Sequence, residues 1–205
     1  MEPRRALSES ALPKASIIVA LYREAAVVAQ LIKTLGAIDY PAGKLEVRLV
    51  LEADDTETLA AIERCHLDTR FGVVIAPAGH PRTKPRALNY ALRFCSGEII
   101  AVHDAEDRPH PLQLRHAAES FHLAPPGLAC LQAPLNWYNR GETWLTRQFA
   151  MEYAAHFHVM LPLYQRLDWP LPLGGTSNYF RTKAMLRSGG WDAWNVTEDA
   201  DLGLR

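Results

Sequence analysis

Ala15-Ser16-Ile17-Ile18-Val19-Ala20-Leu21 and, thirty positions later, Leu45-Glu46-Val47-Arg48-Leu49-Val50-Leu51 decide the fold class of this chain. Each is a short apolar run bounded by polar residues, which reads as a buried strand. Between them Val27, Val28, Leu31, Ile32 and Leu35 recur at helical spacing, so the segment has the length and order of a βαβ unit. The pattern repeats outward. Residues 56–66 form a short helix, Phe71–Ala76 a third strand and residues 98–102 a fourth. Ala87, Leu88, Ala91, Leu92 and Cys95 mark a helix entered through Pro85; residues 112–123 mark another, followed by a strand near 128–135. Such alternation predicts an α/β fold, a mostly parallel sheet flanked by helices on both faces. No repeat, linker or low-complexity segment divides residues 1–205, so a single domain is expected.

Composition narrows the function. The net charge of −1 lacks the basic stripe of a nucleic-acid binder, so no nucleic-acid partner is expected. Cys65, Cys95 and Cys130 are odd in number, far apart and without a CxxC, and are read as reduced thiols of a cytosolic setting. Met1-Glu2-Pro3-Arg4-Arg5 is not followed by a signal-type apolar core, and no apolar run approaches the ~20 residues needed to span a bilayer. The chain is expected to be soluble as it stands, with membrane spans possible in a longer parent. Residues 143–164 form a long helical candidate carrying Trp144, Phe149, Tyr153, Phe157 and Met160, ahead of Pro170 and Pro172. Its aromatics suit either core packing or an exposed face that meets an acceptor or a membrane.

Chemistry is expected beyond the carboxyl ends of the strands, where open parallel sheets bind ligands. Glu52, Asp54 and Asp55 follow the second strand; Asp104, Glu106 and Asp107 follow the fourth. Two acidic groups so placed repel unless compensated. A divalent cation relieves that repulsion, and carboxylates suit magnesium or manganese. A diphosphate could fill the remaining coordination positions, with Lys84, Arg82 and Arg86 ahead of a helix to meet its charge. The alternative for Glu52-Ala53-Asp54-Asp55 is a turn or helix cap. A third acidic cluster, Glu198, Asp199 and Asp201, lies behind Trp191 and Trp194 near the end of the chain. The eight histidines show no metal-binding spacing and are given no role. GxGxxG, Walker A and GxSxG motifs are all absent. A phosphate-handling α/β domain without glycine loops leaves sugar-nucleotide transferases and nucleotidyltransferases. A two-carboxylate glycoside hydrolase does not need the basic Pro81–Arg86 segment.

Tyr22-Arg23-Glu24, Glu52-Ala53-Asp54-Asp55, Lys84-Pro85-Arg86-Ala87-Leu88-Asn89, Asp104-Ala105-Glu106, Gly175-Thr176-Ser177 and Thr197-Glu198-Asp199 occur in that order. Taken together they resemble family 2 glycosyltransferases, most of all the processive, membrane-associated bacterial branch of cellulose, chitin and related polysaccharide synthases. The resemblance runs from about Ala15 to the end of the chain. It implies a Rossmann-like GT-A fold with a nucleotide-sugar half (about 15–110) followed by an acceptor half (about 111–205). It also implies an inverting hexosyltransferase that moves glucose or N-acetylglucosamine from a UDP-sugar to a growing polysaccharide or a lipid acceptor. By position, Tyr22, Glu24 and Glu52 would lie near the base and Lys84 at the diphosphate. Asp104 and Glu106 would stand for the DxD motif and bind Mg²⁺ or Mn²⁺, with Asp107 in reserve and Glu replacing the second Asp. Asp199 would be the general base, and Gly175, Thr176, Ser177 and Glu198 would face the acceptor. The branch works at the cytoplasmic face of the cell membrane. The QxxRW motif of processive members has no match, and the chain stops six residues after Asp199. A C-terminal truncation is therefore expected, with Thr197 capping a short helix that is marginal on its own. A nucleotidyltransferase and a catalytically silent nucleotide-sugar binding module remain as alternatives.

Overall fold

A computed structural model describes residues 7–205; the Met1–Arg5 segment lies outside the described residues. The strands are β1 (Ala15–Leu21), β2 (Leu45–Glu52), β3 (Phe71–Ala76), β4 (Ile99–Val102), β5 (Cys130–Gln132) and β6 (Asn178–Arg181). They form one sheet in the order β3-β2-β1-β4-β6-β5. β1, β2, β3 and β4 run parallel, with Ile17 opposite both Val47 and Ala101. β6 pairs antiparallel with β4 and β5.

The helices are α1 (Val28–Gly36), α2 (Thr56–Glu63), α3 (Lys84–Leu92), α4 (Gln113–Leu123), α5 (Trp144–Ala155), α6 (Leu161–Arg166), α7 (Thr182–Arg187) and α8 (Glu198–Leu204). Strand parity sorts the core into two layers. Ile17, Val19, Leu21, Leu49, Leu51 and Tyr179 point to the face covered by α1, α2 and α4. Ile18, Val50, Ile100, Val102 and Phe180 point to the face covered by α3, Met185 of α7, Trp191 and Leu202 of α8. Both faces are covered, which is why the strands read as continuous apolar runs.

One strand was not expected from sequence: residues 178–181 form β6, and four residues are too few for a periodicity to emerge. The helix expected over 143–164 forms as α5, a π turn at His156–Met160 and α6, ending at Arg166; the π turn places Pro162 in the first turn of α6, where its missing N–H costs little. Among the described residues no helix is long and apolar enough to cross a membrane.

Candidate active site

The parallel strands bring three loops to one edge of the sheet. β1 delivers Tyr22 and Glu24, β2 ends at Glu52, and β4 leads into His103 and Asp104. Lys84 opens α3 beside them. Tyr22, Glu24, Glu52, Lys84, Asp104 and Glu106 all line one cavity of about 400 Å³. Burial pushes the Glu24 carboxyl up, the Tyr22 amide opposes this, and the nearby Glu106 and Asp104 charges push it further. The cavity is thus negative at one wall, with Arg82 and Lys84 at another.

The acidic group after β2 is compensated by protein cations. Glu52, 6% exposed, pairs with Arg86 Nη2 at 2.6 Å, and Asp54 pairs with Arg82 at 3.0 Å. Asp55 caps α2, accepting from the Thr58 amide at 3.1 Å and the Arg23 amide at 2.6 Å. Burial raises the Asp55 carboxyl, but these hydrogen bonds outweigh it and hold it below its usual range. A cation shared between the two strand-end groups is therefore not required at this one; Asp55 does the capping that its position after a strand allowed.

The group after β4 divides its work. Asp107 Oδ2 accepts from the Asp104 amide at 2.9 Å, from His103 Nδ1 at 3.3 Å, and from the Thr176 hydroxyl. Burial alone would raise its pKa; the His103, Thr176 and Asp104 donors lower it below the usual range. Asp107 Oδ2 thus braces the loop. Asp104 Oδ1 accepts from Lys84, whose ammonium also reaches the Gly175 carbonyl at 2.8 Å. Glu106 is exposed and, among the described residues, makes no hydrogen bond or ion pair. Among the described residues no three His, Cys, Asp or Glu side chains converge as a metal site. Asp104 and Glu106 both line the cavity that Tyr22, Glu24, Glu52 and Lys84 also line.

Asp199, in the first turn of α8, is 8% exposed. Burial pushes its carboxyl up to about 6, against the lowering effect of Lys84 and of the Trp191 indole. Trp191 Nε1 donates to Asp199 Oδ1 at 3.1 Å. The Trp191 backbone is in turn fixed at both ends by the Asn89 side chain, at 3.0 and 2.7 Å. Gly189 and Gly190, at φ 83° and 76°, make the turn that allows this, and a side chain on Gly190 would collide with Asn89. A β-carbon on Gly175 would lie 3.2 Å from Asp199 Oδ2, so the glycine lets the Gly175-Thr176-Ser177 strand entry run alongside the carboxylate. Ser177 takes φ 55° to make that entry. Glu198, half-buried, is a neighbour whose charge raises Asp199.

α8 is better fixed than a short isolated helix. Leu202 is buried, Gly203 lies against Leu171 and Leu173, and Arg205 bonds Asp201 at 2.8 Å and the Ser188 and Gly190 carbonyls. Thr197 does not cap it; its hydroxyl bonds Asn195 instead.

The aromatic helix does not pack into the core. α5 has no buried residue, Trp144 is 73% exposed, and Phe157 in the π turn is the buried exception. A second cavity, of about 530 Å³, shares Asp104 and Glu106 with the first and runs past Thr176 and Ser177 to Trp137, Tyr138 and Tyr153. Sequence reasoning missed Trp191, Asn89, His103 and the Arg86 pairing. The Gly-Gly-Trp turn was a signal for the first; Asn89 and the Arg86 pairing depend on contacts far apart in sequence.

Comparison with known proteins fits this geometry. A model of the family described as "Glycosyltransferase like family 2" matches residues 13–205. A β-monoglucosyldiacylglycerol synthase of Nostoc sp. is 30% identical over 96% of this chain and 42% of its own length. The chain thus spans about two fifths of the curated relatives it matches. A mannosyltransferase of Pyrobaculum calidifontis, solved with GDP-Man and Mn²⁺, superposes with TM-score 0.72 at 24% identity over 95% of this chain and 52% of that one. TarS of S. aureus, solved with UDP-GlcNAc, gives 0.64 at 19% identity over 93% and 52%. These two likenesses agree on the fold, the α/β arrangement of a GT-A domain. This chain belongs to the family 2 glycosyltransferases.

Proposed function

We propose that this chain binds a UDP-sugar, with glucose or N-acetylglucosamine as the sugar, and transfers it with inversion to a hydroxyl of a saccharide or lipid acceptor. Family membership supports the reaction class, and the relatives' names point to nucleotide-sugar donors and a glycolipid product. The observation that carries the reading is the meeting of two cavities on Asp104 and Glu106, with Lys84 tying Asp104 to the Gly175 segment that abuts Asp199. Donor and acceptor cavities thus adjoin, and Asp199 lies against Gly175, next to Thr176 and Ser177, which line the second. Residues 15–110 supply the nucleotide-sugar half and residues 111–205 the acceptor half, working at the cytoplasmic face of a membrane.

In this reading Tyr22, Glu24 and Glu52 hold the base end of the nucleotide, and Lys84 meets the diphosphate. The acceptor hydroxyl gives its proton to Asp199 as its oxygen forms a bond to the anomeric carbon. The bond from that carbon to the diphosphate breaks on the opposite face, and the diphosphate leaves with the electron pair. The Lys84 ammonium faces the negative charge that develops there. Asp104 and Glu106 would hold Mg²⁺ or Mn²⁺, which supplies further neutralisation of the leaving group. Opposite-face attack turns an α-linked donor into a β-linked product. Gly175, Thr176, Ser177 and Glu198 border the acceptor.

Calorimetry tests the donor site. UDP-glucose or UDP-N-acetylglucosamine should bind more tightly with Mn²⁺ or Mg²⁺ than with EDTA, and Asp104→Ala should abolish the difference. Equal affinity with metal and with EDTA in the wild type would contradict the metal-bridged site.

A further inference from the structure

We propose that a cavity between α5 and residues 135–140 docks the headgroup of an anionic phospholipid, so that the chain meets a negatively charged membrane surface along α5. The inference deepens the membrane part of the proposed function by naming the surface and the lipid class. The cavity, of about 460 Å³, adjoins the second one through Leu135 and Asn136 but holds none of Lys84, Asp104 and Glu106.

Its charge is of one sign. Arg140 lines it from the loop, and Arg147 and His158 from α5 and the π turn. Among the described residues no carboxylate lines it. Neither Arg140 nor Arg147 has an ion pair or a side-chain hydrogen bond there. The guanidiniums of Arg86, Arg115 and Arg181, by contrast, are taken up by carboxylates or carbonyls. Glu142, two positions from Arg140, accepts from the Asn139 side chain at 3.2 Å instead. Two unspent guanidiniums on one space suit the oxygens of a phosphate, which each can hold with a pair of N–H groups. With a net charge of −1 for the whole chain, attraction to an anionic surface has to come from such a local concentration.

The remainder of the cavity is largely apolar, with Leu135, Ala150, Met151 and Ala154 in its lining. Trp144, Arg147, Met151, Ala154 and His158 follow one another at steps of three and four residues and so share one stripe of the helix. The fold does not cover that stripe: α5 buries no residue, and Trp144 is 73% and Met151 57% exposed. Cations set beside an exposed tryptophan and apolar side chains match a helix lying in the headgroup layer, where the apolar groups reach the acyl boundary and the guanidiniums stay with the phosphates. A soluble anion would engage the guanidiniums and leave the apolar stripe in water. An anionic lipid surface covers both.

The test is co-sedimentation of the whole chain with vesicles of phosphatidylcholine containing increasing shares of phosphatidylglycerol. Binding should rise with the anionic share and fall with added salt. Arg140→Gln and Arg147→Gln should each weaken partitioning about fivefold, and the two together on the order of 20-fold. Replacing both by lysine, which keeps the charge, should retain most of the binding, and Trp144→Ala should weaken it several-fold. Arg187→Gln, at an exposed position on α7, should change nothing, and UDP affinity should stay at the wild-type value in every variant. Absence of vesicle binding, equal binding to neutral and anionic vesicles, or binding indifferent to the double glutamine variant overturns the site and leaves any membrane contact to other surfaces. Displacement by inorganic phosphate at matched ionic strength, with Trp144→Ala without effect, also overturns it and reassigns the cavity to a soluble anion. A wild type that binds anionic vesicles as described but fails to bind UDP would count against the transferase reading and leave the docking site standing.

Discussion

Trp191→Phe isolates one hydrogen bond to the candidate base. The indole N–H lies 3.1 Å from Asp199 Oδ1 in a place where both residues are buried. Phenylalanine keeps most of the ring packing against Phe180, which meets Trp191 edge-on at 5.9 Å. It removes a donor that favours the ionised carboxylate. A hydrogen bond to a charged group contributes ~1.5–3 kcal/mol, and one pKa unit corresponds to ~1.4 kcal/mol, so the substitution should raise Asp199 by ~1–2 units. From its position at about 6, the carboxyl would move to ~7–8, and the ionised share at pH 7 would fall from ~90% to ~50–10%. The sign is upward, because the charged form loses its partner. ¹³C-labelled aspartate, assigned with Asp199→Asn, gives the titration directly by NMR without any acceptor. The acid limb of UDP release should shift in parallel, and a deficit persisting at high pH would report lost orientation. A titration that stays at about 6, or moves down, would refute the claim that Trp191 supports the ionised base. Asp199 also has a stability consequence. Its folded pKa is raised, so its contribution is full below the unfolded value of ~3.9 and is lost as pH rises through about 6.

Three further outcomes follow from the same geometry. Asp199→Asn should lower turnover by ~10²–10⁴ with UDP-sugar affinity unchanged, the scale of a lost general base; unchanged turnover would move the base to Glu198 or Asp201. Lys84→Met should weaken UDP by ~10–100-fold while leaving uridine alone, since a charge-assisted contact contributes ~1.5–3 kcal/mol. Equal losses for both ligands would place the lysine away from the diphosphate. Arg86→Met leaves Glu52 buried without its cation and should cost on the order of 3 kcal/mol in urea unfolding. Adding Glu52→Gln should recover most of it, and a single substitution without measurable cost would mean that the pair carries no stability.

Much of the sheet was legible because buried parallel strands and amphipathic helices write strong periodicities. β1, β2 and β3 coincide with their apolar runs to within a residue, and Pro85 sits in the first turn of α3 as expected. β6 was illegible: its four residues are defined by pairing with β4 and β5, not by a pattern of their own. The site was partly legible for a related reason. The pattern located Glu52, Asp104 and their neighbours at strand ends and Lys84 ahead of a helix, but sequence cannot say which acid finds a local partner. Asp55 turns into a cap and Asp107 into a loop brace, whereas Glu106 has no bond among the described residues, and only the fold separates them. Trp191 is eight positions from Asp199, yet its hold on that carboxylate depends on Asn89, 102 positions away. The exposed aromatics of α5 were ambiguous because helical spacing does not reveal which face the rest of the protein covers.

The central claim is that a sugar leaves its nucleotide at this site with the diphosphate intact on the nucleoside. ³¹P NMR of the protein with UDP-glucose or UDP-N-acetylglucosamine, Mg²⁺ and an acceptor measures that bond directly. Growth of the two UDP resonances, matched by a new β-anomeric proton signal in the acceptor, is the predicted result. Release of pyrophosphate or of a sugar 1-phosphate would mean that phosphorus is attacked instead of the anomeric carbon, and would contradict the account.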